Sequence, residues 1–136
     1  MLHSPKIFKE FMLPFYKKLV DFFKRNNIEI ISVDSDGNVA ELIPLLLDAG
    51  VTGIHPFEVA AGMDVAKIGK DYPQLQIWGG IDKRALAKGQ QAIDTELKRV
   101  ILPMKERRGY AVGLDHSIPP DVSLDNHRYY IKNYCN

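Results

Sequence analysis

Apolar residues recur at helical spacing from Pro5 to about Asn26, where Ile7, Phe8, Phe11, Phe15, Leu19, Phe22 and Phe23 alternate with lysines and glutamate. This is the pattern of an amphipathic helix, with Pro14 set to break or kink it. The pattern then changes. "IEIISV" (Ile28 to Val33) is short and β-branched and predicts a buried strand, followed by a helix over "VAELIPLLLDAG". Asn38 and Glu41 are placed as a capping pair at the start of that helix and Gly50 as its stop, while Pro44 inside it has no explanation in the pattern. "VTGIHPF", "LQIWGG" and "YAVGL" predict three further strands. Helices are expected over "GMDVAKIGKDYP", over a longer and interruptible stretch after Asp82, and over "SLDNHRYYIKNYC" with Ser123 as N-cap. Strands starting near residues 28, 51, 75 and 109, each followed by a helix, predict an α/β fold with a parallel sheet and right-handed crossovers.

The polar residues that follow each strand change the picture from fold to site. Asp34 and Asp36 follow the first strand, His55 and Glu58 the second, Asp82 the third, and Asp115 and His116 the fourth. In parallel α/β folds these carboxyl ends share one face, where ligands bind. Asp34 and Asp36, two residues apart, point the same way on an extended chain and suit a divalent cation or a shared proton; alternatively, Asp36 and Asn38 cap the next helix. A calcium-loop reading of "DSDGN" fails, because the glycine comes too early and Leu45 occupies the glutamate position. Glu58 either positions substrate or answers a helix dipole, and Asp82 either lines a pocket or caps the "KRALA" helix. The Gly-Gly before Asp82 permits close approach of a ligand or a sharp turn. His116 has both a structural and a catalytic reading. His3 and His127 receive no role, Tyr129 and Tyr130 are read as packing, and Cys135 lies too near the end to be assigned as a nucleophile. Phosphate-loop, dinucleotide, thiol-pair and serine-elbow motifs are absent from the sequence.

Composition narrows the class. With 136 residues, 46% apolar and 26% charged, the chain suits one domain over 1–136, with 1–27 as an N-terminal helical segment. Its 18 basic and 17 acidic residues leave a net charge of +1, which points away from nucleic acid and anionic membranes. The N-terminus does not read as a signal peptide, and no apolar run approaches the ~20 residues of a membrane helix. A single cysteine is compatible with a reducing setting, so a cytoplasmic location is expected.

Together, "DSDGN", "GGIDKRALAKG" and "DHSIPPDVSLDN" resemble the C-terminal half of the uroporphyrinogen decarboxylase superfamily, which includes the corrinoid-dependent methyltransferases. The resemblance runs from about Ile28 onward. It implies a partial TIM barrel: strands five to eight of a (β/α)8 fold, the four β/α units preceded here by the N-terminal helix. It also implies roles. In the zinc-dependent methyltransferases a His-x-Cys pair ends the fifth strand and another Cys follows the eighth; Asp34, Asp36 and His116 stand at those positions. His116 also matches the histidine of the decarboxylases' Gly-His-Gly, here flanked by Asp115 and Ser117. The expected catalytic set is therefore His116, Asp36 and Asp34, with the same three as ligands for a divalent metal. Glu58, Asp82, Asp115 and His55 are expected to bind substrate. Corrinoid-linked demethylation of a small methylated compound, with the corrinoid carried on a partner protein, is the favoured activity. The alternatives are uroporphyrinogen decarboxylation and a non-catalytic binding or assembly module. Half a barrel also predicts a partly uncovered inward apolar face, closed by a homodimer, by a missing N-terminal barrel half, or by the chain's own N-terminal helix.

Overall fold

The computed structural model describes residues 4–134; His3 and Cys135 lie outside the described residues. Four strands, β1 (Ser32–Ser35), β2 (Gly53–Pro56), β3 (Gln76–Ile81) and β4 (Tyr110–Leu114), form one sheet among these residues. They lie side by side in chain order and every pairing is parallel, with Ser32 beside Gly53, Ile54 beside Ile77, and Ile77 beside Tyr110. Strands added in sequence order through helical crossovers are the arrangement of a partial TIM barrel.

The N-terminal segment divides at Pro14. Helix α1 (Pro5–Ile7) runs into a π-helical turn over Phe8–Met12, and α2 (Leu13–Arg25) follows with Pro14 in its first turn. The Leu13 N–H reaches back five residues to Phe8 O, so the ladder is re-phased where proline removes a donor. Pro44 has the same explanation. Helix α3 (Ile43–Ala49) starts later than the apolar pattern suggests, which leaves Pro44 in the first turn, where a missing N–H costs nothing. Asn38 does not cap this helix. Its Oδ1 accepts from the Ala40 N–H in a local turn, and its Nδ2 donates to Ala61 O in a 3-10 segment (Val59–Ala61).

The first strand is also displaced. Ile28 and Ile30 are 43% and 68% exposed, and pairing begins only at Ser32. Gly53, the first residue of β2, fixes that start, because the Thr52 and Gly53 N–H groups both donate to Ile31 O. Beyond β2, α4 (Val65–Asp71) is capped by Asp64. The long segment after β3 divides into α5 (Lys83–Ala87) and α6 (Gln90–Met104), and α7 (Leu124–Tyr134) follows β4 with Ser123 Oγ accepting from the Asn126 N–H.

Period-2 alternation sorts the strand residues. Val33, Ile54, Ile77 and Ile81 belong to the row that joins the helices in one core, which runs from Phe8 to Tyr130. The other row is Ser32 and Asp34, Gly53 and His55, Gln76 and Trp78, Ala111 and Gly113. The inward face is therefore mostly small or polar, not the apolar surface that the isoleucines suggested. Nor does α2 cover that face; it packs on α3. At the β4 edge, the Tyr134 hydroxyl donates to Val112 O at 2.8 Å.

One side chain closes the end of the sheet opposite the polar residues. The Arg107 guanidinium donates to the carbonyls of Gly69, Tyr72, Leu75 and Gly109, tying α4 and the start of β3 to the turn before β4. Burial lowers its pKa from the ordinary arginine value. A lysine carries one nitrogen and cannot span four carbonyls. Arg107→Lys should therefore cost roughly 1.5–3 kcal/mol, read as a lower urea midpoint with an unchanged slope.

Candidate active site

The carboxyl ends of the strands open into a cleft of about 490 Å³. The sheet supplies Asp34, His55, Pro56, Trp78 and Leu114, and the loops after β1 and β4 supply Asp36, His116 and Ser117. Helix α7 provides the remaining wall through His127, Tyr130, Ile131 and Tyr134.

Two histidine–carboxylate pairs sit in this cleft. Asp34 is the register partner of His55, and His55 Nδ1 lies 3.7 Å from Asp34 Oδ1. Across the mouth, His116 Nε2 is 3.9 Å from Asp36 Oδ1, bringing the loops after the first and fourth strands together. Both separations exceed hydrogen-bond length, so no hydrogen bond closes either gap and a group can be inserted there. His116 Nδ1 accepts from the Ser117 N–H at 2.7 Å. A neutral His116 therefore carries its proton on Nε2, facing Asp36. The His55 ring lies 5.1 Å from the Trp78 indole, tilted by 38°.

The other expected site residues have different neighbours. Asp115 is fully buried; its Oδ2 accepts from the Val59 N–H at 2.9 Å and its Oδ1 from the Lys83 N–H at 3.0 Å. Its own N–H donates to Ile81 O, so it clamps β4 to the loops after β2 and β3. Glu58 accepts from the Gly37 N–H and lies 3.6 Å from Lys83 Nζ, linking the loops after β1 and β2. Asp82 caps α5 and grips Arg84 through both carboxylate oxygens, and the Arg84 hydrogen bond holds its carboxyl below the usual carboxylate range against the opposing effect of burial. These three carboxylates are already engaged by backbone N–H groups or cations, and none is among the residues lining the cleft. They brace its loops.

The expected metal set is not assembled either. Among the described residues no three His, Cys, Asp or Glu side chains come together in a way that could hold a metal ion. Asp34 and Asp36 instead turn to different histidines. Trp78 and the α7 wall were missed in the sequence reading, although His127, Tyr130, Ile131 and Tyr134 have the i, i+3, i+4, i+7 spacing of one helical face. Tyr130 and Tyr134 are stacked there at 5.4 Å.

Among the described residues, no helix is long and apolar enough to cross a membrane. The sequence matches the family model described as uroporphyrinogen decarboxylase (URO-D) over residues 1–134. It is 28% identical over 124 residues to the uroporphyrinogen decarboxylase of Geobacter metallireducens, covering 90% of this chain and 35% of the relative. It is 26% identical over 131 residues to that of Trichlorobacter lovleyi, covering 94% and 36%. For the Geobacter sulfurreducens protein the identity is 27% over 124 residues, covering 90% and 35%. No solved structure matches this chain. The chain spans about a third of the length of these curated relatives. With a parallel sheet of sequential β/α units and a family match over nearly all its residues, the chain belongs to the uroporphyrinogen decarboxylase family.

Proposed function

We propose that the chain supplies one wall of the substrate cleft of a methyl-transferring member of this family, acting on a small methylated compound with a corrinoid on a partner protein as acceptor. The observation that carries this reading is the charge of the cleft. Its described lining holds two carboxylates and three histidines but no lysine or arginine. Uroporphyrinogen bears a carboxylate on every side chain and needs cations for its recognition. A small, uncharged or cationic methyl donor has no such need.

In this reading the bond from the methyl carbon to its heteroatom breaks with the electron pair left on the heteroatom. A reduced corrinoid on the partner protein, when bound, would supply the electron pair that accepts the methyl carbon. When the heteroatom is oxygen or sulfur, the His116 Nε2–H donates a hydrogen bond to it as it leaves, with Asp36 beside the imidazole, and solvent supplies the proton. Asp34 stands in the same relation to His55. The three-residue metal site expected from the sequence does not fit this donor geometry, and no step is routed through a metal.

Calorimetric titration of the chain with a panel of methylated amines, methyl ethers and methyl sulfides tests the reading. At least one should bind, with affinity reduced roughly tenfold in His116→Ala, the loss of about one charge-assisted hydrogen bond. The second reading, uroporphyrinogen decarboxylation, draws on the names of the relatives. The chain alone is expected to show no decarboxylase turnover, because catalytic groups in this architecture come from many strand ends. Uroporphyrinogen turnover that is lost in His116→Ala would overturn the methyl-transfer reading.

A further inference from the structure

We infer that the cleft selects a methylated ammonium cation over neutral methylated compounds of the same shape; this deepens the methyl-transfer reading and rests on it. The first observation is Trp78. It is the chain's single tryptophan, it stands on the inward row of the sheet, and it is 57% exposed inside the cleft. A large aromatic ring left open to solvent on a row of small and polar residues is not serving the core.

The second observation is that its seat is cleared for it. At Gly113, on the neighbouring strand, an added Cβ would lie 2.9 Å from Trp78 Nε1 and 3.2 Å from Cδ1. The backbone of β4 thus lies close against the indole edge, and the His55 imidazole on β2 lies 5.1 Å from the ring.

The third is the charge around the ring. Asp34 lies on the strand beside that of His55, and Asp36 stands across the mouth beside His116. The Asp34 and Asp36 side chains are 74% and 70% exposed, with His55 Nδ1 3.7 Å from Asp34 and His116 Nε2 3.9 Å from Asp36. An indole face attracts a cation through its quadrupole, and carboxylates nearby add long-range attraction of the same sign. A quaternary ammonium suits this combination better than a metal ion, because its diffuse charge and methyl shell need an aromatic surface and no inner ligands. Transfer of its methyl group as CH3+ would leave a neutral amine, which the carboxylates no longer hold.

Choline and its neutral carbon analogue 3,3-dimethylbutan-1-ol form the test pair, followed by Trp78 emission on the full chain. Choline should perturb the emission saturably and bind roughly three- to thirtyfold more tightly than the neutral analogue, the range of a partly desolvated cation–π contact with a carboxylate beside it. The double variant Asp34→Asn/Asp36→Asn should fold as the wild type does, since both side chains are exposed, and should lose most of that preference. Equal affinity for the two ligands in the wild type would overturn the inference while leaving the methyl-transfer reading intact. Unchanged choline preference in the double variant would overturn the role given to the carboxylates. Absence of saturable choline binding overturns the inference outright, and if uroporphyrin then binds, the methyl-transfer reading falls with it.

Discussion

Replacing Asp115 by alanine is expected to lower the stability of the chain by about 3–5 kcal/mol, enough to unfold much of the population. The carboxylate is fully buried, yet every contact that holds it is a backbone N–H: Val59 on one oxygen and Lys83 on the other. Alanine removes both acceptors and leaves two donors unsatisfied in a buried site, in addition to the cavity. Asparagine keeps one acceptor and presents an NH2 to the other donor, so Asp115→Asn should fall between alanine and wild type. Urea unfolding followed by far-UV circular dichroism measures both. A loss below about 1 kcal/mol for alanine would mean that water replaces the carboxylate and that the clamp is not structural.

That outcome bears on how the sequence can be read. Asp115 and His116 are neighbours after a strand, and the sequence places both in one site, His116 as a catalytic group and Asp115 against the substrate. The two residues diverge in the bend just past β4: the Asp115 carboxylate goes to the loop N–H groups of Val59 and Lys83, while His116 lines the cleft. Period-2 alternation makes Asp34 and Asp36 share the cleft, which their spacing anticipated. It did not reveal that each faces its own histidine, because that depends on the register Asp34–His55 and on the approach of two loops far apart in sequence. Parallel strand order was legible from the repeated strand–helix units, and β4 lies where "YAVGL" placed it. The start of β1 was not legible. Ile28 and Ile30 are as β-branched as any core strand, but the ladder has no partner for them before Gly53. Trp78 escaped for a related reason: in "LQIWGG" it reads as one more apolar strand residue, and only the pairing register assigns it to the row opposite Ile77.

The Gly79–Gly80 pair in that segment carries the last prediction. Before the structure, two glycines ahead of Asp82 suited either a ligand's close approach or a sharp turn. What approaches is backbone. Gly79 has φ +106, and a Cβ there would lie 2.2 Å from Pro56 O, 3.0 Å from Pro56 C and 3.1 Å from Leu114 O. All three atoms are main-chain atoms of the flanking β2 and β4 strands, so no side-chain rotation can relieve the clash. The Gly79 carbonyl also accepts from the hydroxyl of half-buried Tyr110 at 3.0 Å, whose pKa burial pushes well above the ordinary tyrosine value, and this bond fixes the strand further. Gly79→Ala must either prise the three strands apart or break their ladders, and should cost about 4 kcal/mol or more through overpacking added to the positive-φ penalty. Gly37→Ala is the internal control. Its φ is +74, but nothing lies within 4 Å of the added carbon, so only the conformational cost of about 1 kcal/mol should appear. Thermal unfolding of the two variants separates the terms. Trp78 emission reports on the site, because Trp78 precedes Gly79 and moves with it. If Gly79→Ala proved no more damaging than Gly37→Ala, the sheet would have to be looser at its centre than this packing allows, and the seat of Trp78 would be looser with it.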